Sequence, residues 1–281
     1  MKAYVSTALA VALVLSAAAC KQQPAETNMP AGAEAAAAAS LEAINGTWKV
    51  DLASLKFEGR PDEYSLKDGS YGCVTCTPPL TVAADGAMHA VADRPYYDAM
   101  SVKVVDDRTV EFRRQKGGKD VSVVTQSVSA DGNVLTTKFK DMTTPGQTIE
   151  GTSTARRAGP AAAGAHAISG QWKPDKISDY TEEAQSLTFN VAGDTVTSSG
   201  QGQSYKAELG GPAVPLEGDT GGTMIKVARE GASALRETQI RDGKEIGYSI
   251  ITPSADGKTV SYVYTDNRDS TKTSWTGNKT A

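Results

Sequence analysis

The hexapeptide "GTWKVD" beginning at Gly46 returns 124 positions later as "GQWKPD", beginning at Gly170. A longer stretch, "KGGKDVSVVTQSVSADGNVLTTKFKD" from Lys116, aligns with "RDGKEIGYSIITPSADGKTVSYVYTD" from Arg241 at an offset of 125. Two matches whose offsets differ by a single residue over such a length identify an internal duplication. The repeated units are residues 46–157 and residues 170–281, joined by a linker at 158–169 in which Pro, Gly and Ala dominate. Two units are too few for a solenoid. Each is therefore expected to close a core of its own, which its length allows.

Within a unit, short runs of alternating apolar residues recur. In the first they are "LTVAA", "SVKVVD", "TVEFRRQ", "DVSVVTQSV" and "VLTTKFKD". The stretch "TVEFR" puts Val110 and Phe112 on one face and Glu111 and Arg113 on the other, the period of a half-buried strand. Gly117-Gly118 and Asp131-Gly132 separate the runs with the residues that hairpin turns demand, and Asp242-Gly243 and Asp256-Gly257 repeat both turns. No amphipathic helix of ordinary length is evident. Val, Thr, Ser, Gly and Ala are abundant while Phe occurs only 4 times, so small β-branched side chains must do much of the packing. The expectation is an all-β chain of about eight strands per unit. Such strands hide their edges by closing into an up-and-down barrel or by stacking as a sandwich, and a strand count does not separate the two.

Gly46-Thr47-Trp48 and Gly170-Gln171-Trp172 resemble the G-x-W signature that opens the first strand of lipocalin-like barrels. That resemblance implies two tandem antiparallel up-and-down barrels. In each, the Trp plugs the closed end and a basic residue from the last strand covers its ring: Arg156 or Arg157 in the first unit, Lys279 in the second. Trp275, also in the final strand, makes the correspondence imperfect. With the "GTWK" start, the "SVKVVD" and "TVE" strand pair and the "SADG" hairpin, the chain resembles a group of bacterial envelope proteins carrying one or two such domains, a group with no settled biochemical function.

Residues 1–19 read as a secretory signal: Lys2 supplies the charge, an apolar stretch runs from Tyr4 to Ser16, and Ala17, Ala18 and Ala19 precede Cys20. The apolar run is short for a membrane span. Cys20 after small residues resembles the lipobox of bacterial lipoproteins, although Ala17 stands where that pattern has Leu; ordinary signal-peptidase cleavage is the alternative. The lipobox reading implies acyl chains on Cys20 and attachment to the membrane. Lys21 in the next position implies the outer membrane, with the protein facing the periplasm. Residues 20–45 would then be the lipidated Cys and a flexible tether, with its Ala-rich end, from Ala33 to Ile44, able to form a short helix against the first domain.

Cys73 and Cys76 belong to the first unit alone; the second has "TSSGQG" there. Haem attachment would need His where Thr77 stands. Zinc needs about four ligands, and the only histidines are His89 and His166. A redox pair needs a helix N-terminus, which a β context followed by Pro78-Pro79 does not offer. A disulfide pinning a turn fits an oxidising compartment. His89 reads as a structural or rim residue whose counterpart is Val214, and Tyr96 and Tyr97 as candidates to line a barrel mouth and stack on a ligand. Asp106-Asp107 and Glu182-Glu183 read as turn caps or solvated acids. No nucleophile elbow, zincin, Walker or dinucleotide motif occurs, so neither catalysis nor a cofactor or metal is expected. A net charge of −4 argues against nucleic acid as a partner. Two roles are preferred: holding a small apolar or amphipathic ligand, or serving as a structural or adaptor protein of the envelope, with barrels filled by their own Val, Thr and Tyr side chains; a redox or metal function centred on Cys73 and Cys76 is the third.

Overall fold

The computed structural model describes residues 40–280. The signal segment 1–19, Cys20 and the tether as far as residue 39 lie outside the described residues. Alternating burial and paired turns make the described chain almost wholly β. The first unit contributes β1 (Gly46–Glu58), β2 (Asp62–Lys67), β3 (Ser70–Cys73), β4 (Leu80–Ala83), β5 (His89–Ala90), β6 (Ala99–Asp106), β7 (Thr109–Lys116), β8 (Lys119–Val128), β9 (Val134–Asp141) and β10 (Ile149–Arg157). The second contributes β11 (Gly170–Ser178), β12 (Ser186–Ala192), β13 (Thr195–Gly200), β14 (Gln203–Glu208), β15 (Val214–Pro215), β16 (Met224–Glu230), β17 (Ala234–Arg241), β18 (Lys244–Pro253), β19 (Thr259–Asp266) and β20 (Lys272–Lys279). Ten strands replace the expected eight, partly because β5 and β15 are two-residue strands too short to leave a periodic signal.

The strands form two antiparallel sheets, each curled into a nearly closed barrel. Barrel I has the order β4-β3-β2-β11-β10-β9-β8-β7-β6-β5, and barrel II the order β14-β13-β12-β1-β20-β19-β18-β17-β16-β15. Isolated bridges draw the free edges together, Asp85 to Lys103 in barrel I and Ser204 to Glu217 and Leu209 to Val227 in barrel II. These closures decide between barrel and sandwich.

The expectation that each unit seals its own interior is overturned. The opening strands are exchanged: β1 lies between β12 and β20 of the second unit, and β11 between β2 and β10 of the first. The registers correspond, Gly46 opposite Phe189 and Gly170 opposite Tyr64. The physical reason lies in the duplication. Both slots descend from one sequence, so each accepts either opening strand.

The residues before each opening strand also belong to the fold. Leu41–Ile44, at the end of the expected tether, form a 3-10 turn with Leu41 and Ile44 fully buried in the core of barrel II. Ile168, in the expected linker, is fully buried in barrel I. The Asn45 side chain brackets the edge of Val191, its Oδ1 accepting from the N–H at 2.6 Å and its Nδ2 donating to the carbonyl at 3.0 Å. At the equivalent position the Ser169 hydroxyl accepts from the Leu66 N–H at 2.8 Å and donates to its carbonyl at 3.3 Å.

Both tryptophans are fully buried. Trp48 Nε1 donates to the Ile44 carbonyl and Trp172 Nε1 to the Ile168 carbonyl, each at 2.8 Å, so neither indole N–H is buried without a partner. The covering cations are swapped along with the strands. Lys279, ending the second unit, lies 5.1 Å from the Trp48 ring, and Arg157, ending the first, lies 4.1 Å from the Trp172 ring. Arg157 further donates to the carbonyls of Gly132, Ala167 and Ser169. Arg156 instead pairs with Asp175 at 3.2 Å. The signature glycines make room for these cations. Gly46 sits at φ 130° and Gly170 at φ 119°, and a Cβ would come within 2.7 Å of the Lys279 side chain in one case and 2.9 Å of the Arg157 guanidinium in the other.

Thr47 and Thr188 face each other across the exchanged ladder, with hydroxyls 2.9 Å apart although 141 residues separate them in sequence. The double variant Thr47→Cys with Thr188→Cys is expected to form an intrachain disulfide on oxidation, read by peptide mass mapping of the monomer. Failure to cross-link, or cross-linking only between chains, would refute exchange within one molecule.

Candidate functional site

The sealed ends lie at the tryptophans, and a cavity of about 470 Å³ is walled by residues from both barrels. Its apolar wall owes much to a defect in β1. Between Asp51 and Lys56 the register of β1 against β20 slips, because the segment carries more residues than its partner. The bulge is held by its own polar groups: Ala53 N–H donates to Asp51 Oδ1 at 3.0 Å, and Ser54 Oγ donates to the Asp51 carbonyl at 2.6 Å and accepts from the Thr276 N–H at 2.8 Å. Bulges re-aim side chains, and Val50, Leu52, Leu55 and Phe57 all reach the cavity. Phe139, Ile149 and Tyr180 face it from one side, Leu187, Ile225 and Trp275 from the other.

Tyr96 and Tyr97, in the loop between β5 and β6, both line this cavity. Their hydroxyl environments differ. Tyr96 crosses into barrel II, where its hydroxyl donates to Asp219 Oδ1 at 2.9 Å and accepts from Arg241 Nη2 at 2.7 Å. Asp219 also accepts from the N–H groups of Gly221 and Thr223, and the same Arg241 Nη2 donates to the Thr223 hydroxyl at 2.7 Å. Burial pushes the Tyr96 phenol above its ordinary value of 10.0, with the Arg241 charge opposing the shift. Tyr96 is thus a latch between barrels. Tyr97 stays in barrel I, with the Arg114 guanidinium 5.3 Å from its ring centroid.

The residue that sequence reasoning missed is Glu237. It lies on β17, is buried, and forms part of the cavity wall in barrel II. Tyr205 donates a hydrogen bond to its Oε1, and Tyr262 supplies a second phenolic bond. Ser249 Oγ donates to the Tyr262 hydroxyl at 2.6 Å, which leaves that hydroxyl's own proton free to be donated to Glu237. Tyr262 in turn stacks on Trp275, with centroids 4.6 Å apart and planes 11° from parallel. Burial pushes the Glu237 carboxyl up from 4.5 to about 7, and the two phenols oppose that shift without cancelling it.

The signal for Glu237 was available at the offset of 125. The shared ladder register pairs Glu237 with Ser249 where the first unit pairs Phe112 with Val124. Likewise Tyr205 occupies the position of Leu80, and Tyr262 that of Thr137. A polar cluster in one barrel therefore stands where the other is largely apolar.

Cys73 and Cys76 form a disulfide, with Cα atoms 5.4 Å apart, at the end of β3. Cys73 packs in the core of barrel I, at the position Ser198 holds in barrel II. His89 Nε2 lies 2.8 Å from Asp85 Oδ1 on the surface, away from the cavity lining. Asp106 caps the turn after β6 by accepting from the Arg108 N–H at 2.8 Å, and Glu182 pairs with Lys49 at 2.6 Å. Among the described residues no cluster of three or more His, Cys, Asp or Glu side chains is placed to hold a metal, and no helix is long and apolar enough to cross a membrane. No protein-family model, curated protein or solved structure matches this chain.

The raised Glu237 carboxyl has a consequence for stability. Below about pH 4.5 the group is protonated both folded and unfolded; between about pH 4.5 and 7 only the unfolded chain releases the proton, so folding weakens as pH rises. Glu237→Gln is therefore expected to gain on the order of 3 kcal/mol over wild type between about pH 4.5 and pH 7, levelling off above. Denaturant titrations of both proteins across that range would show it, and parallel pH profiles would contradict it.

Proposed function

We propose that this chain is a non-catalytic carrier of the bacterial envelope, fixed to the periplasmic face of the outer membrane through acyl chains on Cys20. Its two lipocalin-like barrels hold a small amphipathic molecule in the cavity they share. The observation that carries this reading is the cavity itself. Its volume of about 470 Å³ falls in the range of small-molecule sites, roughly 300–1,000 Å³. Its lining combines an apolar wall with a few polar groups converging from Tyr205, Glu237 and Gln239. Small side chains alone would have filled the lumens, as an adaptor built of solid barrels requires. Here the bulge in β1 and the aromatic residues surround open volume instead.

Native mass spectrometry of the protein purified from its own host is expected to show a population heavier than the lipidated polypeptide by one small molecule. Leu55→Trp, which fills the cavity from the β1 bulge, is expected to remove that population while leaving the thermal transition within a few degrees. Recovery of bare polypeptide from the wild-type protein would contradict a retained ligand. A mass corresponding to the unmodified Cys20 thiol would contradict the anchor.

A further inference from the structure

Among the described residues Glu237 has no counter-ion. The groups that act on its carboxyl are the hydroxyls of Tyr205 on β14 and Tyr262 on β19; Ser249 on β18 reaches it only through Tyr262. All are neutral. Arg114, a cation on the cavity wall, belongs to barrel I, where it lies over the Tyr97 ring and 3.3 Å from the Ser122 hydroxyl with its Nε left without a hydrogen-bond partner. Asp219 and Asp141, also on the wall, are committed to the Tyr96 latch and to the Thr143 N–H and hydroxyl. A buried carboxylate is costly unless paired, and this one faces open volume rather than packed protein.

Its surroundings also suit a positive charge. Two phenols direct their hydrogens at the carboxyl and leave its remaining lone pairs as acceptors, so a ligand group placed there must donate. Tyr262 and Trp275, stacked on each other, line the same cavity, and an aromatic ring attracts a cation through its quadrupole. The apolar side chains of the β1 bulge line the same cavity.

We infer that the cavity takes a cationic amphiphile, an alkyl or aryl amine whose ammonium donates to Glu237 while its apolar body lies along Leu52, Leu55 and Phe57. The inference rests on the ligand-binding reading above and narrows it to one chemical class. The first unit, with Phe112 at the equivalent position, supplies no second ammonium site, so one amine binds per chain. Because the carboxyl of the empty cavity is half-ionised near neutral pH, the amine binds more tightly as pH rises, its ammonium staying protonated to about pH 10.

Three probes of equal chain length separate the possibilities: n-octylamine, n-octanol and n-octanoate. Titrations on the full chain are followed by tryptophan fluorescence. Trp48 and Trp172 are sealed at the closed ends, so the response reports Trp275. Octylamine is expected to bind most tightly and to gain about tenfold in affinity between pH 6 and pH 8, while octanol stays flat. Glu237→Gln is expected to lose about tenfold or more of the octylamine affinity at pH 8 and all of its pH dependence, while keeping octanol within about twofold, which also certifies its fold. Equal binding of amine and alcohol, or preference for octanoate, overturns the inference and leaves the ligand-binding reading standing. Binding of none of the three overturns both.

Discussion

Each opening strand completes a hydrogen-bonded ladder that belongs to the other copy, and everything else in the molecule is arranged around that exchange. A barrel lacking the strand between β12 and β20, or between β2 and β10, has two raw edges and an unplugged end. The exchanged strand closes both defects at once, since the indole it carries is the plug and the cation that covers the indole comes from the strand beside it. The duplicated chain is thus two interlocked barrels rather than two beads on a string. The β1–β11 crossing holds their interiors close enough to share a cavity.

Within that frame the copies have diverged where divergence costs least. The closed ends are alike down to the indole N–H bond and the capping Asn45 or Ser169. Toward the cavity they differ. Barrel I packs Phe112 against Tyr71 in an edge contact with centroids 5.0 Å apart and adds the Cys73–Cys76 disulfide. Barrel II carries Glu237, Tyr205, Ser249 and Tyr262. A duplicated scaffold frees one copy to keep a stable apolar lumen while the other acquires a buried polar network, whose hydroxyls are hydrogen-bonded but whose carboxyl is held at a cost.

Much of this was legible in the sequence, and the parts that were not share a cause. Strand periodicity, the Asp-Gly turns and the G-x-W motif identified strands, hairpins and plugs, because those signals are local. The basic partners Arg157 and Lys279 were legible as well, as the terminal cations of each unit. Which indole each one covers was not, since two identical slots give the sequence no means of declaring which strand fills which. The same ambiguity hid the role of Leu41, Ile44 and Ile168, which read as tether and linker because Ala and Gly surround them. Tyr96 and Tyr97 could be suspected from their loop. That one of them would bridge to Asp219 and Arg241 depended on the approach of a second barrel. Glu237 was hidden among ordinary alternating strand residues and became conspicuous only against Phe112.

The interlocking also governs how the molecule bears load. Any tension carried by the preceding chain enters at Ser40 and passes directly into β1, which is clamped on both edges by strands from the far half of the sequence. Pulling along that strand shears two ladders together instead of peeling one, and the plug of Leu41, Ile44 and Trp48 must leave the core before either gives way. The first described residues of the chain are thereby fastened to the half most remote from them in sequence, and a pull applied there is shared by the whole protein.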